Sequence, residues 1–200
     1  MKLSARILIL FITGFCLGPI GDYFHVQTET TGYPLDRYAY YFFGLPYWVP
    51  LIFGMAAVAV GLSHPWLDQI LPGDPSRPGA RNGSWALGGV LIFLALYVAS
   101  GLLPGPAGSA NDALMGMLAL MVWAMLDRTW QGIFLGIVTA LSGTLVEILM
   151  VQADLFFYHP GRDNLFGVPS WLPWLYFAAS VTLGNFGRYL TLRRPAGAQE

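Results

Sequence analysis

Almost every charge in this chain is confined to the gaps between six apolar runs, and a chain so patterned must fold in a membrane. The runs cover residues 5–20, 47–62, 85–103, 113–126, 132–151 and 172–192. Spanning the hydrocarbon layer takes about 20 apolar residues, so the fourth run is expected to begin near residue 108. Hydrophobic residues make up 56% of the chain and charged residues 10%. A water-soluble domain carries about 25% charged residues, and its surface cannot be built from this composition. The expected fold is an all-α integral membrane bundle of six transmembrane helices in a single domain spanning residues 1–200.

Six helices also sort the basic residues. Lys2, Arg6, Arg77, Arg81, Arg128, Arg188, Arg193 and Arg194 fall on one side, leaving Arg37 and Arg162 opposite. By the positive-inside rule both termini are then cytoplasmic. Asp22, Glu29, Asp36, Asp112, Asp154 and Asp163 face the far side. The first run has a basic head like a signal peptide but no small-x-small cleavage site, which argues for retention as a helix. Cys16 is the lone cysteine, so neither a disulfide framework nor a cysteine metal cluster exists. No basic stripe with interleaved aromatics is available for nucleic acid. Residues 63–83, rich in Pro, Gly and Arg, are expected as a flexible loop, and the aromatics of 38–43 as a short interfacial segment. Ser84, Asp112 and Ser170 stand where helix N-caps belong.

Glu147 is the clearest ionisable residue inside a run, on one helix stripe with Thr139 and Gly143. A carboxylate there is costly and should face the bundle interior or a wet cavity, as a ligand anchor, a proton-coupled site, or a structural group bonded to a neighbour. Asp127 ends the fourth run, where the helix dipole disfavours an anion. It can cap the next helix and pair at the surface with Arg128, or the two can offer a contact point to a partner. Gly132 and Gly136 open the fifth helix with a small face, and Ser180, Gly184 and Gly187 give the sixth another, expected for close packing. Arg188 is placed to snorkel at the boundary. His25, His64 and His159 are split across the membrane, which rules against a di-metal centre, and no Ser or Cys sits beside a base in one span. No metal, cofactor or enzymatic activity is expected.

Three stretches carry further specificity: YWVPLIFGMAAVAVGLSHPWLDQILPG (47–73), WAMLDRTWQGIFLGI (123–137) and SWLPWLYFAASVTLGNFGRYL (170–190). In order and spacing they resemble the Insig (insulin-induced gene) family, through Trp48, Val49 and Pro50, then Asp127 and Arg128, then Gly184, Asn185, Gly187 and Arg188. Gly54, Gly61, Pro65, Asp68, Trp171, Leu172 and Pro173 match as well, so the resemblance runs from about residue 46 to 192. It implies a six-helix regulatory binder without catalysis, holding a sterol-like lipid in the bundle and contacting membrane proteins such as Scap and HMG-CoA reductase. It also implies a partner role for Asp127 and a pocket-lining role for Phe93. Glu147 departs from the family pattern, which has an uncharged residue there. The compact ends and short loops are those expected of a bacterial inner-membrane protein.

The leading expectation is thus a non-enzymatic lipid sensor whose ligand is a sterol or diacylglycerol-like lipid, with Phe93, Ser100, Thr144 and Glu147 as its contacts. Its partners would be that lipid, a membrane protein at Asp127 and Arg128, and further copies of itself, a trimer among the options. The alternative is a small proton-coupled transporter using Glu147. Against it stand the absence of internal repeats, of a second buried charge and of any unwound-helix signature. A ligand-free oligomeric scaffold is the third reading.

Overall fold

The computed structural model describes residues 1–34, 36–38, 41–71, 80, 82–104 and 106–192. Among these, six helices form an all-α bundle: α1 (Leu3–Gln27), α2 (Val49–Ile70), α3 (Gly83–Gly101), α4 (Ser109–Leu126), α5 (Trp130–Gln152) and α6 (Leu172–Leu192). At 25 residues α1 is about 37 Å long, enough to cross a bilayer with tilt. The first five helices are long and apolar enough to span. The sixth falls short of that measure because it is the central helix, packed against α2, α3, α4 and α5. Its residues can be polar because neighbours rather than lipid surround them: Ser180, Thr182, Asn185 and Arg188 are all buried.

The loops α1–α2, α3–α4 and α5–α6 share one end of the bundle, and the start of α1 and the end of α6 share the other. Arg6 Nη1 donates to Thr191 Oγ1 at 2.8 Å, tying the first turn of α1 to the last turn of α6. Exposed Trp66, Trp85 and Trp130 stand at this end of the helices, as the residues of an interfacial aromatic belt do. The basic residues Arg77, Arg81, Arg193 and Arg194, on which the expected orientation leans, lie outside the described residues, as do 72–79 of the long loop between α2 and α3.

The helices differ from the expected bounds where polar residues find partners. α1 runs on to Gln27 and α2 to Ile70, past the expected ends at residues 20 and 62. Asp22, expected to face the far side, is instead buried in α1 and accepts from Tyr33 Oη at 2.6 Å. His64 and Asp68 extend α2 because both bond to α6, His64 Nε2 to Ser180 Oγ at 3.0 Å and Asp68 to Arg188. Two of the expected caps move. Asn82 rather than Ser84 caps α3, accepting from the Ser84 N–H at 2.9 Å. Asp112 lies in the first turn of α4 and accepts from Ser170 Oγ at 2.6 Å, so Ser170 bridges to α4.

Short strands close the loop end. β1 (Thr31–Gly32) pairs antiparallel with β4 (Phe157–Tyr158), and β2 (Tyr41–Phe42) with β3 (Leu45–Pro46), where an interfacial segment is expected. The β2–β3 turn and the turn at 165–168 share one design. Phe43 (φ 52°) with Gly44 (φ 80°), and Phe166 (φ 52°) with Gly167 (φ 92°), put two successive residues at positive φ, as a type I′ turn requires. Asn is favoured at the first position, and a bulky residue held there stores about 1 kcal/mol. Phe166 is 76% exposed and so has little burial to lose. The Phe166→Asn variant is therefore expected to raise stability by roughly 1 kcal/mol, read as a higher melting temperature in detergent.

Candidate functional site

A cavity of about 400 Å³ lies within the bundle, lined from α1, α2, α3, α5 and α6 and roofed at the loop end by Thr31, Tyr33, Phe156 and Tyr158. Its walls are mostly apolar. The lining residues that are exposed (Ile52, Ala56 and Ala59 on α2, Ser142 and Val146 on α5) all border the seam between those two helices. The cavity therefore opens sideways between α2 and α5, where the small side chains of Ala56, Ala59 and Ser142 leave room.

Glu147 lines the cavity, on one stripe with Thr139 and Gly143. Its Oε1 accepts from Tyr176 Oη at 2.5 Å and its Oε2 from Tyr158 Oη at 2.6 Å, so each oxygen is held by one phenol. Gly143 makes this possible, since a Cβ there would lie 2.5 Å from the Tyr176 ring. Asp22 is buried and lines the same cavity, so the expectation of no second buried acidic group beside Glu147 is corrected. The β1–β4 ladder sets Thr31 opposite Tyr158, which brings the end of α1 and the end of α5 to one roof. Burial pushes both roof phenols up, with the charge of Asp22 adding to the effect at Tyr33 and that of Glu147 at Tyr158. Both stay hydrogen-bond donors throughout the physiological pH range.

The other expected contacts divide. Phe93 lines the cavity and stacks on Tyr97, ring centroids 6.0 Å apart. Ser100 does not line it; its hydroxyl bonds His25 Nε2 at 2.9 Å and donates to Tyr97 O at 2.7 Å, so it positions His25, which does. Thr144 lies off the cavity, buried on α5, and its Oγ1 has no partner among the described residues. The sequence reading missed Asp22, His25, Tyr33, Tyr97, Tyr158 and Tyr176. Only Asp22 carried a usable signal, as a charge two residues past an apolar run, within one helical turn of its end.

At the termini end, Asp127 is not in a surface pair with Arg128. It is 1% exposed, and Arg188 Nη1 donates to its Oδ2 at 2.6 Å. Asn185 Nδ2 donates to the same oxygen at 3.1 Å, and the N–H and hydroxyl of Thr129 both donate to Oδ1. Arg188 does not snorkel: its Nε and Nη2 also donate to Asp68 at 2.7 and 3.1 Å. Arg128 is exposed, at φ 61°, and its Nε donates to Ala124 O at 2.5 Å. The small residues serve this packing. A Cβ on Gly132 would strike the Asp127 carboxylate, on Gly136 the Phe177 ring, on Gly184 the His64 ring and on Gly187 the Gly61 backbone. Ser180 bonds both His64 and Thr139. Among the described residues no cluster of three or more His, Cys, Asp or Glu could hold a metal ion.

A family profile described as Insulin-induced protein (INSIG) matches residues 5–191. An INSIG protein homolog from Mycolicibacterium vanbaalenii is 35% identical over 94% of this chain and 87% of its own length. Insulin-induced gene 1 protein from Homo sapiens is 31% identical over 97% of this chain and 68% of its own. The crystal structure of the mycobacterial Insig homolog MvINS, from the same bacterium, superposes with a TM-score of 0.85 at 33% identity, covering 98% of each chain. A cross-linked trimer of MvINS matches equally well.

Proposed function

This chain belongs to the insulin-induced protein (INSIG) family of multi-pass membrane proteins, and from that premise we propose that it is a lipid-binding regulator without enzymatic activity. Its ligand is a lipid of sterol or diacylglycerol type, held in the cavity between the helices. The observation that carries this reading is the cavity itself: about 400 Å³, apolar-walled, polar at its roof and open to the bilayer between α2 and α5. Those are the dimensions and chemistry of a small-molecule site, and a sideways mouth suits a ligand that arrives from lipid. Occupancy works as a signal through differential affinity, because a lipid that binds one packing of the helices better than another shifts the population toward it.

The remaining parts of the reading follow from the same premise. The whole chain acts as one transmembrane domain in a bacterial inner membrane, with both termini cytoplasmic. It self-associates, with the trimer of its mycobacterial relative as a guide. A membrane partner meets the turn between α4 and α5, where Arg128 is exposed and buried Asp127 holds the turn in shape.

Titrating the purified protein with radiolabelled 25-hydroxycholesterol and with labelled diacylglycerol tests the lipid reading. Saturable binding of one of them is expected, weakened about tenfold by Phe93→Ala, which removes about 1.4 kcal/mol of ring contact. Absence of saturable binding for either lipid would remove the sensor function. A second reading, a proton-coupled transporter using Glu147, rests on one observation, the second buried carboxyl of Asp22 in the same cavity. Proton-dependent uptake into vesicles that Glu147→Gln abolishes would establish it in place of the first.

A further inference from the structure

Eight hydroxyl-bearing side chains line the cavity. Six of them already donate within the protein: Tyr33 to Asp22, Tyr158 and Tyr176 to Glu147, Thr139 to Ser180, and Thr13 and Ser142 to helix carbonyls. Thr31 and Tyr97 remain. Thr31 is 3% exposed, and its Oγ1 is buried with no hydrogen-bond partner among the described residues. Tyr97 is hydrogen-bonded through its main chain alone among those residues, its carbonyl accepting from His25 and Ser100, so its phenol is uncommitted. Both belong to the roof. Thr31 stands opposite Tyr158 in the β1–β4 ladder, and Thr30 beside it donates to Gly101 O at the end of α3. Tyr97 lies one turn before Gly101, its ring set against Gly21 of α1, where a Cβ would lie 2.1 Å from Cδ1. Its phenol is near enough to Tyr33 and Tyr158 to act on both through charge.

A lipid that fills the cavity seals these two hydroxyls from water, and polar groups sealed off unpaired carry a penalty. A hydroxyl on the lipid removes it, because an O–H both donates and accepts, as Thr31 and Tyr97 do in turn. We propose, building on the lipid-binding reading above, that Thr31 and Tyr97 form a head site that selects lipids carrying a free hydroxyl. The hydroxyl meets the roof, and the apolar body runs along the walls toward the α2–α5 mouth. Sterols and diacylglycerols both qualify, whereas a fully esterified or deoxygenated lipid brings no donor and leaves both groups unpaired. Asp22 and Glu147 frame the site without lending it charge: a carboxyl accepts from its phenol in either protonation state. Since the roof lies at the loop end, a lipid entering from the leaflet on that side keeps its hydroxyl near the headgroup depth it held in the bilayer.

Paired titrations of the purified full-length protein isolate the hydroxyl: dioleoylglycerol against propane-1,2-diol dioleate, and 25-hydroxycholesterol against cholest-5-ene, each counterpart lacking only hydroxyl groups. In the pair that saturates, the alcohol is expected to bind about tenfold more tightly than its counterpart. Thr31→Val and Tyr97→Phe keep shape and remove one hydroxyl each. Either should weaken the alcohol about threefold without weakening the counterpart, and the double variant should bring the two within about twofold. Neither lost hydroxyl has a partner inside the protein, so both variants should melt no lower than the native chain. A merely structural role would instead lower the melt and weaken both lipids alike. Equal binding of an alcohol and its counterpart by the native protein would overturn the head rule and leave the lipid cavity standing. An alcohol advantage undiminished in the double variant would overturn the assignment to these two residues. No saturable binding of any of the four lipids would overturn the lipid reading, and the head rule with it.

Discussion

Replacing Arg188 by methionine is expected to cost the bundle about 3–5 kcal/mol, the largest loss from any single polar change in this chain. Its guanidinium is 2% exposed and serves two acids: Asp68 through Nε and Nη2, and Asp127 through Nη1. Those acids come from α2 and from the end of α4, so one side chain of α6 joins three helices. Methionine fills much of the volume but removes the Arg188 charge from beside both carboxylates. Asp127 keeps the donors of Thr129 and Asn185, which hold its geometry but supply no charge. The melting temperature in detergent should fall by roughly 10 °C for a chain of this size. Pairing the change with Asp68→Asn and Asp127→Asn should recover part of the loss, because a buried ion network is costly mainly when broken on one side. A drop of only ~1 °C in Arg188→Met would mean that the network contributes little.

Gly187→Ala is expected to be nearly as severe for a different reason. Pro65 in α2 has no N–H to give the carbonyl of Gly61, one helical step before it. The backbone of α6 backs onto that carbonyl at Gly187, where a Cβ would lie 1.7 Å from Gly61 O. Neither side can yield by rotating a side chain, since both are backbone. The helices must separate, which undoes the His64–Ser180 bond and the Asp68–Arg188 pair nearby on the same two helices. Overpacking costs typically about 1–3 kcal/mol, and a backbone-to-backbone clash belongs at the upper end. Gly88→Ala is the matched control: nothing lies within 4 Å of its Cβ position, and Ala is the better helix former. The expected result is a melt lowered several degrees by the first change and unchanged or raised by the second. Equal melts would show that the α2–α6 contact can relax.

Apolar runs made the helices legible because a chain in lipid must satisfy its backbone internally, and runs of this length do so as helices. Glu147 stood out for the same reason, as a charge with no excuse inside a run. What the runs concealed is which polar residues at their edges turn inward. Asp22, His64, Asp68 and Arg188 look like ends of spans in one dimension, yet each continues its helix because a partner waits on another helix. Such pairing is a property of the assembled bundle, and no local signal in α2 announces Arg188. Likewise the Tyr158–Glu147 and Tyr33–Asp22 bonds depend on a ladder of two-residue strands far apart in the chain, too short to leave a pattern. Ser100 and Thr144 are polar within apolar stretches, but a helix has as many faces toward its neighbours as toward a cavity.

The central place of α6 bears on how the protein is made. Ribosomes deliver the five more apolar helices first, and each can partition into the bilayer by its own hydropathy. Until the sixth emerges, Asp68 and Asp127 stand in an open bundle without their arginine, and Glu147 without Tyr176. The last segment, poor in hydropathy and rich in partners, then enters by being captured rather than by dissolving in lipid. The fold is thus completed only when the sixth helix arrives, and a nascent chain stalled before it presents carboxyls that lack their Arg188 and Tyr176 contacts, which membrane quality control can recognise.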